Sequence, residues 1–175
     1  MKKLFAALLS LCLILSAFAA SAEEEPAVVN VNWSDYEAQA AEMEGQFATI
    51  GSTGLKMFIP AQFKDTEISD EMLASGIFMV LKPEAENAVI NAQVVPMDID
   101  LFMATLANQG VSTWETVING ISFIQFTADA DGILNASFAL PTTQNTTLVF
   151  SFAPIDQEPY TSLFKMMAAS LQIAE

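Results

Sequence analysis

The chain reads as an α+β domain, a central antiparallel sheet of about six to seven strands flanked by helices. Three observations predict it. Short runs of alternating apolar and polar residues follow one another with hairpin turns between them. One helical repeat interrupts them at 98–109, and a strongly apolar helical stripe closes the chain near 156–171. Such a helix needs a sheet to lie on.

Taken in order, Ser34-Asp35-Tyr36-Glu37 has the spacing of a capping box, with Ser34 as N-cap and Glu37 three positions on. A short helix to about Met43, ended by Gly45, is expected there. Strands at 46–50 and 55–59 flank Gly51-Ser52-Thr53-Gly54, whose glycines suit a tight connection. Pro60 stops the second strand, and a loop is expected to Ser69. Ser69-Asp70-Glu71 opens a helical turn that Gly76 closes. A second hairpin joins 77–82 to 88–95. In its latter strand Ala88, Ile90, Ala92 and Val94 point one way, while Asn91 and Gln93 point the other.

Asp98 is placed to cap a helix on which Ile99, Phe102, Met103 and Leu106 recur at helical spacing, with Gly110 at its end. Strands at 113–118, 121–128 and 133–140 follow. Asn119-Gly120 between the first two predicts a type I′ turn. The last strand, 147–153, carries Leu148, Phe150 and Phe152 on one face. Asp156 then starts the closing helix, with Pro159 in its first turn and Tyr160, Leu163, Phe164, Met167 and Leu171 along one stripe.

The first 22 residues read as an export signal. Lys2 and Lys3 precede an apolar run from Leu4 to Phe18, and Ala20 and Ala22 fit the small-residue rule for cleavage after Ala22. The run is shorter than the ~20 residues a stable bilayer anchor needs. No membrane anchor is expected after cleavage, and the chain is assigned outside the cytoplasm, secreted or periplasmic. The expected organisation is a signal at 1–22, an acidic leader and short helix at 23–45, and one domain over 46–175. Cys12, the only cysteine, leaves with the signal, so no disulfide or thiolate site is available to the rest.

Charge and missing residue types exclude several chemistries. After removal of Lys2 and Lys3 the domain is net −17 (four lysines against 21 acidic residues) and has no arginine or histidine. Nucleic acid is excluded as a partner, because phosphates need clustered basic side chains. Without histidine there is no Ser-His or Cys-His nucleophile pair and no imidazole metal ligand.

The order of elements resembles the PsbP-like fold, named for an extrinsic protein of the oxygen-evolving photosystem. Gly54-Leu55-Lys56-Met57-Phe58-Ile59-Pro60, the helix at 98–109, Ile118-Asn119-Gly120-Ile121, Val149-Phe150-Ser151-Phe152 and Ala168-Ala169-Ser170-Leu171 carry that resemblance over most of 46–172. It extends to secreted bacterial domains of unassigned role. The resemblance implies a sheet flanked by helices, used for protein binding or assembly, and no catalytic residue carries over.

Candidate sites are few. Asp129 and Asp131, in Asp129-Ala130-Asp131-Gly132, imitate the start of a calcium loop, yet the bidentate glutamate such a loop needs is missing. A hairpin turn accounts for the same residues. Asp98 and Asp100 lie at a helix start, where carboxylates cap. No cofactor is implied. Phenylalanine is abundant, and beyond a filled core it predicts an apolar groove, with Trp33, Phe63 and Trp114 as its lining. The leading expectation is therefore a non-enzymatic module for a protein or apolar ligand. A carboxylate-dependent hydrolase outside the membrane is the alternative.

Overall fold

The structure, a computed structural model, describes residues 28–84 and 88–174. The expected export signal at 1–22 and residues 23–27 of the expected leader lie outside the described residues. The described residues build two sheets rather than one. Eight strands form the larger, in the order β1 (Val29–Val31), β7 (Thr113–Ile118), β8 (Ile121–Ala130), β9 (Ile133–Pro141), β10 (Thr147–Ala153), β6 (Val89–Val95), β5 (Ile77–Pro83) and β4 (Phe63–Asp65). Three form the smaller, in the order β11 (Gln172–Ile173), β3 (Leu55–Pro60) and β2 (Gly45–Thr49). Among the described residues the helices are α1 (Glu37–Ala41), α2 (Asp70–Ala74), α3 (Ile99–Asn108) and α4 (Tyr160–Ala169), with a 3-10 turn at Trp33–Asp35. The class is α+β, as expected, with more strands than the six to seven foreseen.

The turns behave as their residues dictate. Asn119 and Gly120 both take positive φ (49° and 80°) between the paired ends Ile118 and Ile121. Asp131 and Gly132 do the same (54° and 78°) between Ala130 and Ile133. Two adjacent left-handed residues are what a type I′ turn requires, and Asn, Asp and Gly tolerate them best. Ser69 and Asp98 cap α2 and α3, accepting from the N–H groups of Met72 and Leu101.

One face of the large sheet holds the main core. Phe123, Phe138, Phe152, Phe164 and Tyr160 form a chain of ring contacts with centroids 5.6–6.3 Å apart, and Phe63 joins it through Phe164 at 6.0 Å. Each such pair adds roughly 0.5–1.5 kcal/mol beyond area burial. Most of the phenylalanine is spent here, inside the core, rather than on an open groove. The small sheet covers the same core from the other side with Leu55 and Met57. Held between two sheets, α4 buries Met166, Ala168 and Ala169 as well as its predicted stripe. A helix buried on nearly all sides must be apolar nearly all round.

Several expectations need correction. Residues 29–31 of the supposed leader are β1, paired in parallel with β7, because Val29 and Val31 extend the sheet edge. Ser34 caps nothing: the capping position of α1 is Tyr36, without a side-chain bond, since the 3-10 turn takes up Trp33–Asp35. The loop expected at 61–69 contains β4, which pairs with β5. The last helix begins at Tyr160 rather than Asp156, after the donor-less Pro159. Asn91 and Gln93 point away from Ile90 and Ala92 and are buried too, because that face of the sheet also carries α2 and α3 with their own apolar clusters.

Asn119 ties three parts of the chain together. Its Nδ2 donates to the carbonyls of Ala169 and Leu171, both at 2.8 Å, and its Oδ1 accepts from the Trp33 N–H at 2.8 Å. Its own N–H donates to the Val31 carbonyl. Ser170 plays a similar part for the small sheet: its Oγ accepts from the Phe58 N–H and donates to the Met167 carbonyl.

Candidate functional site

A cleft of about 440 Å³ opens where the two sheets part. Its lining includes Gly45, Gln46 and Ala48 of β2, Ile59 and Pro60 of β3, and Phe63, Lys64 and Asp65 of β4. The chain makes this gap by its own course. Residues Ala61 and Gln62 carry it from the middle strand of the small sheet to the outermost strand of the large one. Among the described residues both β2 and β4 are edge strands, each with a sheet neighbour on one side. Unpaired strand edges are templates for a further strand.

The polar content of the cleft is modest. Lys64 and Asp65 are the charged side chains that line it. Lys64 sits directly across from Lys82 in the β4–β5 register. Like charges placed opposite each other are unfavourable, and burial holds the Lys82 ammonium below its ordinary pKa of 10.5. Lysines on edge strands also discourage indiscriminate strand addition.

The three residues expected to line one groove are separated. Trp33 is half-buried and packs on Phe47 and Phe58, with ring centroids at 5.4 and 5.9 Å, against the small sheet. Phe63 is buried and forms part of the cleft wall, with its ring turned to Phe164. Trp114 is half-buried on β7, six strand positions from β4, or about 29 Å along the sheet at the usual spacing of about 4.8 Å. No single groove joins Trp114 to Phe63. The partner strand of a β-residue is not legible from its own sequence, and β4 itself had too few residues to register as a strand.

Asp129 lies near the end of β8 and Asp131 in the turn to β9, and Asp129 Oδ1 accepts from the Gly132 N–H at 2.8 Å. Among the described residues no group of three or more histidines, cysteines or carboxylates is placed to hold a metal ion. No helix among the described residues is long and apolar enough to cross a membrane.

The cyanobacterial PsbP (CyanoP) of Synechocystis sp. PCC 6803 superposes on this architecture with a TM-score of 0.52, over 75% of this chain and 94% of that one, at 14% sequence identity. The fold is PsbP-like. A crystal structure from Bacteroides thetaiotaomicron VPI-5482 matches 76% of this chain at 11% identity and a TM-score of 0.48, and this chain spans 50% of that one. No protein-family model matches the sequence, and no curated protein does. The PsbP-like likeness extends to the fold and not to side chains, so the cleft is read from its own residues.

Proposed function

We propose that this PsbP-like chain is an exported, non-enzymatic binding module, and that it receives an extended segment of a partner protein in the cleft between β2 and β4. One observation carries the reading: an edge strand of each sheet contributes to the lining of this one cleft. Strand addition draws affinity from main-chain hydrogen bonds and specificity from side-chain pockets. Here Ile59, Phe63 and Leu81 supply apolar wall, and Lys64 and Asp65 supply one charge of each sign. The export signal at 1–22 puts the module outside the cytoplasm, with its partner in the envelope or the medium.

The hydrolase alternative draws no support from this cleft, whose lining carries a single carboxylate, Asp65. An acid–base pair of carboxylates would need two.

The test uses the chain from Glu23 with Ala48→Cys, which has no other cysteine, bearing a photo-crosslinker and exposed to the native envelope and culture supernatant. A crosslinked partner is then mixed with the unmodified protein for amide hydrogen exchange. Slowed exchange in both Gly45–Thr49 and Phe63–Asp65 is the expected result. A partner that binds without slowing either strand overturns the proposal.

A further inference from the structure

A second cavity, separate from the β2–β4 cleft, lies where α4 crosses β8, β9 and β10. It holds about 150 Å³ and is walled by Ala136, Phe138, Phe152, Ile155, Phe164 and Ala168. A volume of this size accommodates a benzene ring.

The mouth has a different character from the walls. Gln125, Thr127, Thr161 and Lys165 stand there, and no acidic residue lines the pocket. That composition is uncommon in a chain with 21 acidic and six basic residues. The Gln125 side chain is oriented by Thr116, a buried residue whose Oγ1 donates to Gln125 Oε1 at 2.8 Å. With its oxygen engaged, the amide turns its Nε2 donors away from Thr116. The Thr161 hydroxyl is used internally, on the Ile155 carbonyl. The mouth therefore offers an ammonium and an amide N–H beside an apolar cavity. Donors of both kinds suit a carboxylate, and the charged one gives the stronger bond.

We propose that this pocket is a binding site for a small monocarboxylate bearing one benzene-sized apolar group. The apolar group fills the cavity, and the carboxylate meets Lys165 Nζ and Gln125 Nε2. The cavity is smaller than the roughly 300–1,000 Å³ of drug-sized sites, so it takes one ring and no longer extension. That size favours a free small acid over the end of a peptide.

Trp114 supplies the readout. It stands directly opposite Gln125 in the β7–β8 register, and the chain has only one other tryptophan, Trp33. In a Trp33→Phe background, phenylacetate titrated against Trp114 fluorescence is expected to give a saturable change, with a dissociation constant on the order of 1 mM. Phenylacetamide, the same shape without charge, is expected to bind about tenfold more weakly. Lys165→Gln removes that difference by weakening phenylacetate alone. Thr127→Glu, at an exposed position on the mouth, does the same by repulsion and leaves the core untouched. Ala136→Leu fills the cavity and abolishes binding of both, with unfolding temperature measured alongside to confirm the fold. Equal binding of acid and amide, or indifference to both Lys165→Gln and Thr127→Glu, overturns the proposal. Tighter binding of N-acetylglycylphenylalanine than of phenylacetate overturns it as well, by assigning the pocket to a chain terminus.

Discussion

Replacing Asn119 tests whether one turn residue holds the N-terminal segment, the β7–β8 hairpin and the end of α4 in register. Asn119→Gly is the cleanest perturbation, because glycine keeps the left-handed backbone (φ 49°) and removes only the side chain. Three hydrogen bonds are lost, two to the carbonyls of Ala169 and Leu171 and one from the Trp33 N–H, all at 2.8 Å. At about 1 kcal/mol each the loss is about 3 kcal/mol. For a domain of this size that lowers the unfolding temperature by roughly 6–12 °C. Asn119→Asp is the sharper variant, since it preserves the acceptor for Trp33 but turns an oxygen toward two carbonyl oxygens. At pH 7 it is expected to be at least as damaging as glycine. Facing carbonyls, the new carboxyl has a folded pKa above its unfolded value near 3.9. Its deficit therefore grows as pH rises through the folded pKa, and shrinks below the unfolded pKa, where the acid can donate one bond. Thermal and urea unfolding followed by far-UV circular dichroism measure both variants between pH 3 and 8. If both lie within about 0.5 kcal/mol of the parent, the side chain is not a clamp and the reasoning is refuted.

Three other outcomes are expected. Gly76→Ala drives a Cβ into the Val94 carbonyl oxygen at φ 83°, beside the bond from the Val94 N–H to the Gly76 carbonyl. A loss of more than about 3 kcal/mol should appear in urea melts, and a loss below 1 would count against the β5–β6 geometry. Tyr160→Phe should be neutral or stabilising by up to about 1 kcal/mol, because the buried Tyr160 hydroxyl has no hydrogen-bond partner among the described residues. Burial lowers the Lys82 pKa from 10.5, so its contribution is fully present above pH 10.5 and is lost as pH falls through the lowered value. Lys82→Gln should flatten the alkaline rise in stability between those two points, and an unchanged slope would reject the burial effect.

Local rules account for what the sequence made legible. Two-residue turns at Asn119-Gly120 and Asp131-Gly132 are short-range events, decided by which residues tolerate positive φ, and both hairpins formed where their residues required. Caps at Ser69 and Asp98 are equally local, because the side chain reaches an N–H only three positions away. Periodicity likewise marked the inward row of β10 and the stripe of α4. Ser34-Asp35-Tyr36-Glu37 shows where this reasoning stops: its spacing is that of a capping box, yet the segment is drawn into a 3-10 turn by Trp33, which packs on Phe47 and Phe58.

The candidate sites were hardly legible at all. The β2–β4 cleft exists because β3 turns into β4 across a change of sheet, and edge status depends on partners far away in sequence. Trp33, Phe63 and Trp114 share a residue type but not a neighbourhood, and composition could not distinguish a groove from a chain of core rings. The second pocket needed Gln125 and Lys165 to be brought to one mouth from different elements.

By itself, then, the sequence determined the class of the domain, its hairpins, its caps and the apolar row of its last helix, because each depends on contacts within a few residues. Only the tertiary structure decided that there are two sheets and that β1 and β4 are strands. It also buried Asn91 and Gln93, and it separated the tryptophans. Those outcomes depend on which strands become neighbours, and strand pairing links residues that no local pattern connects.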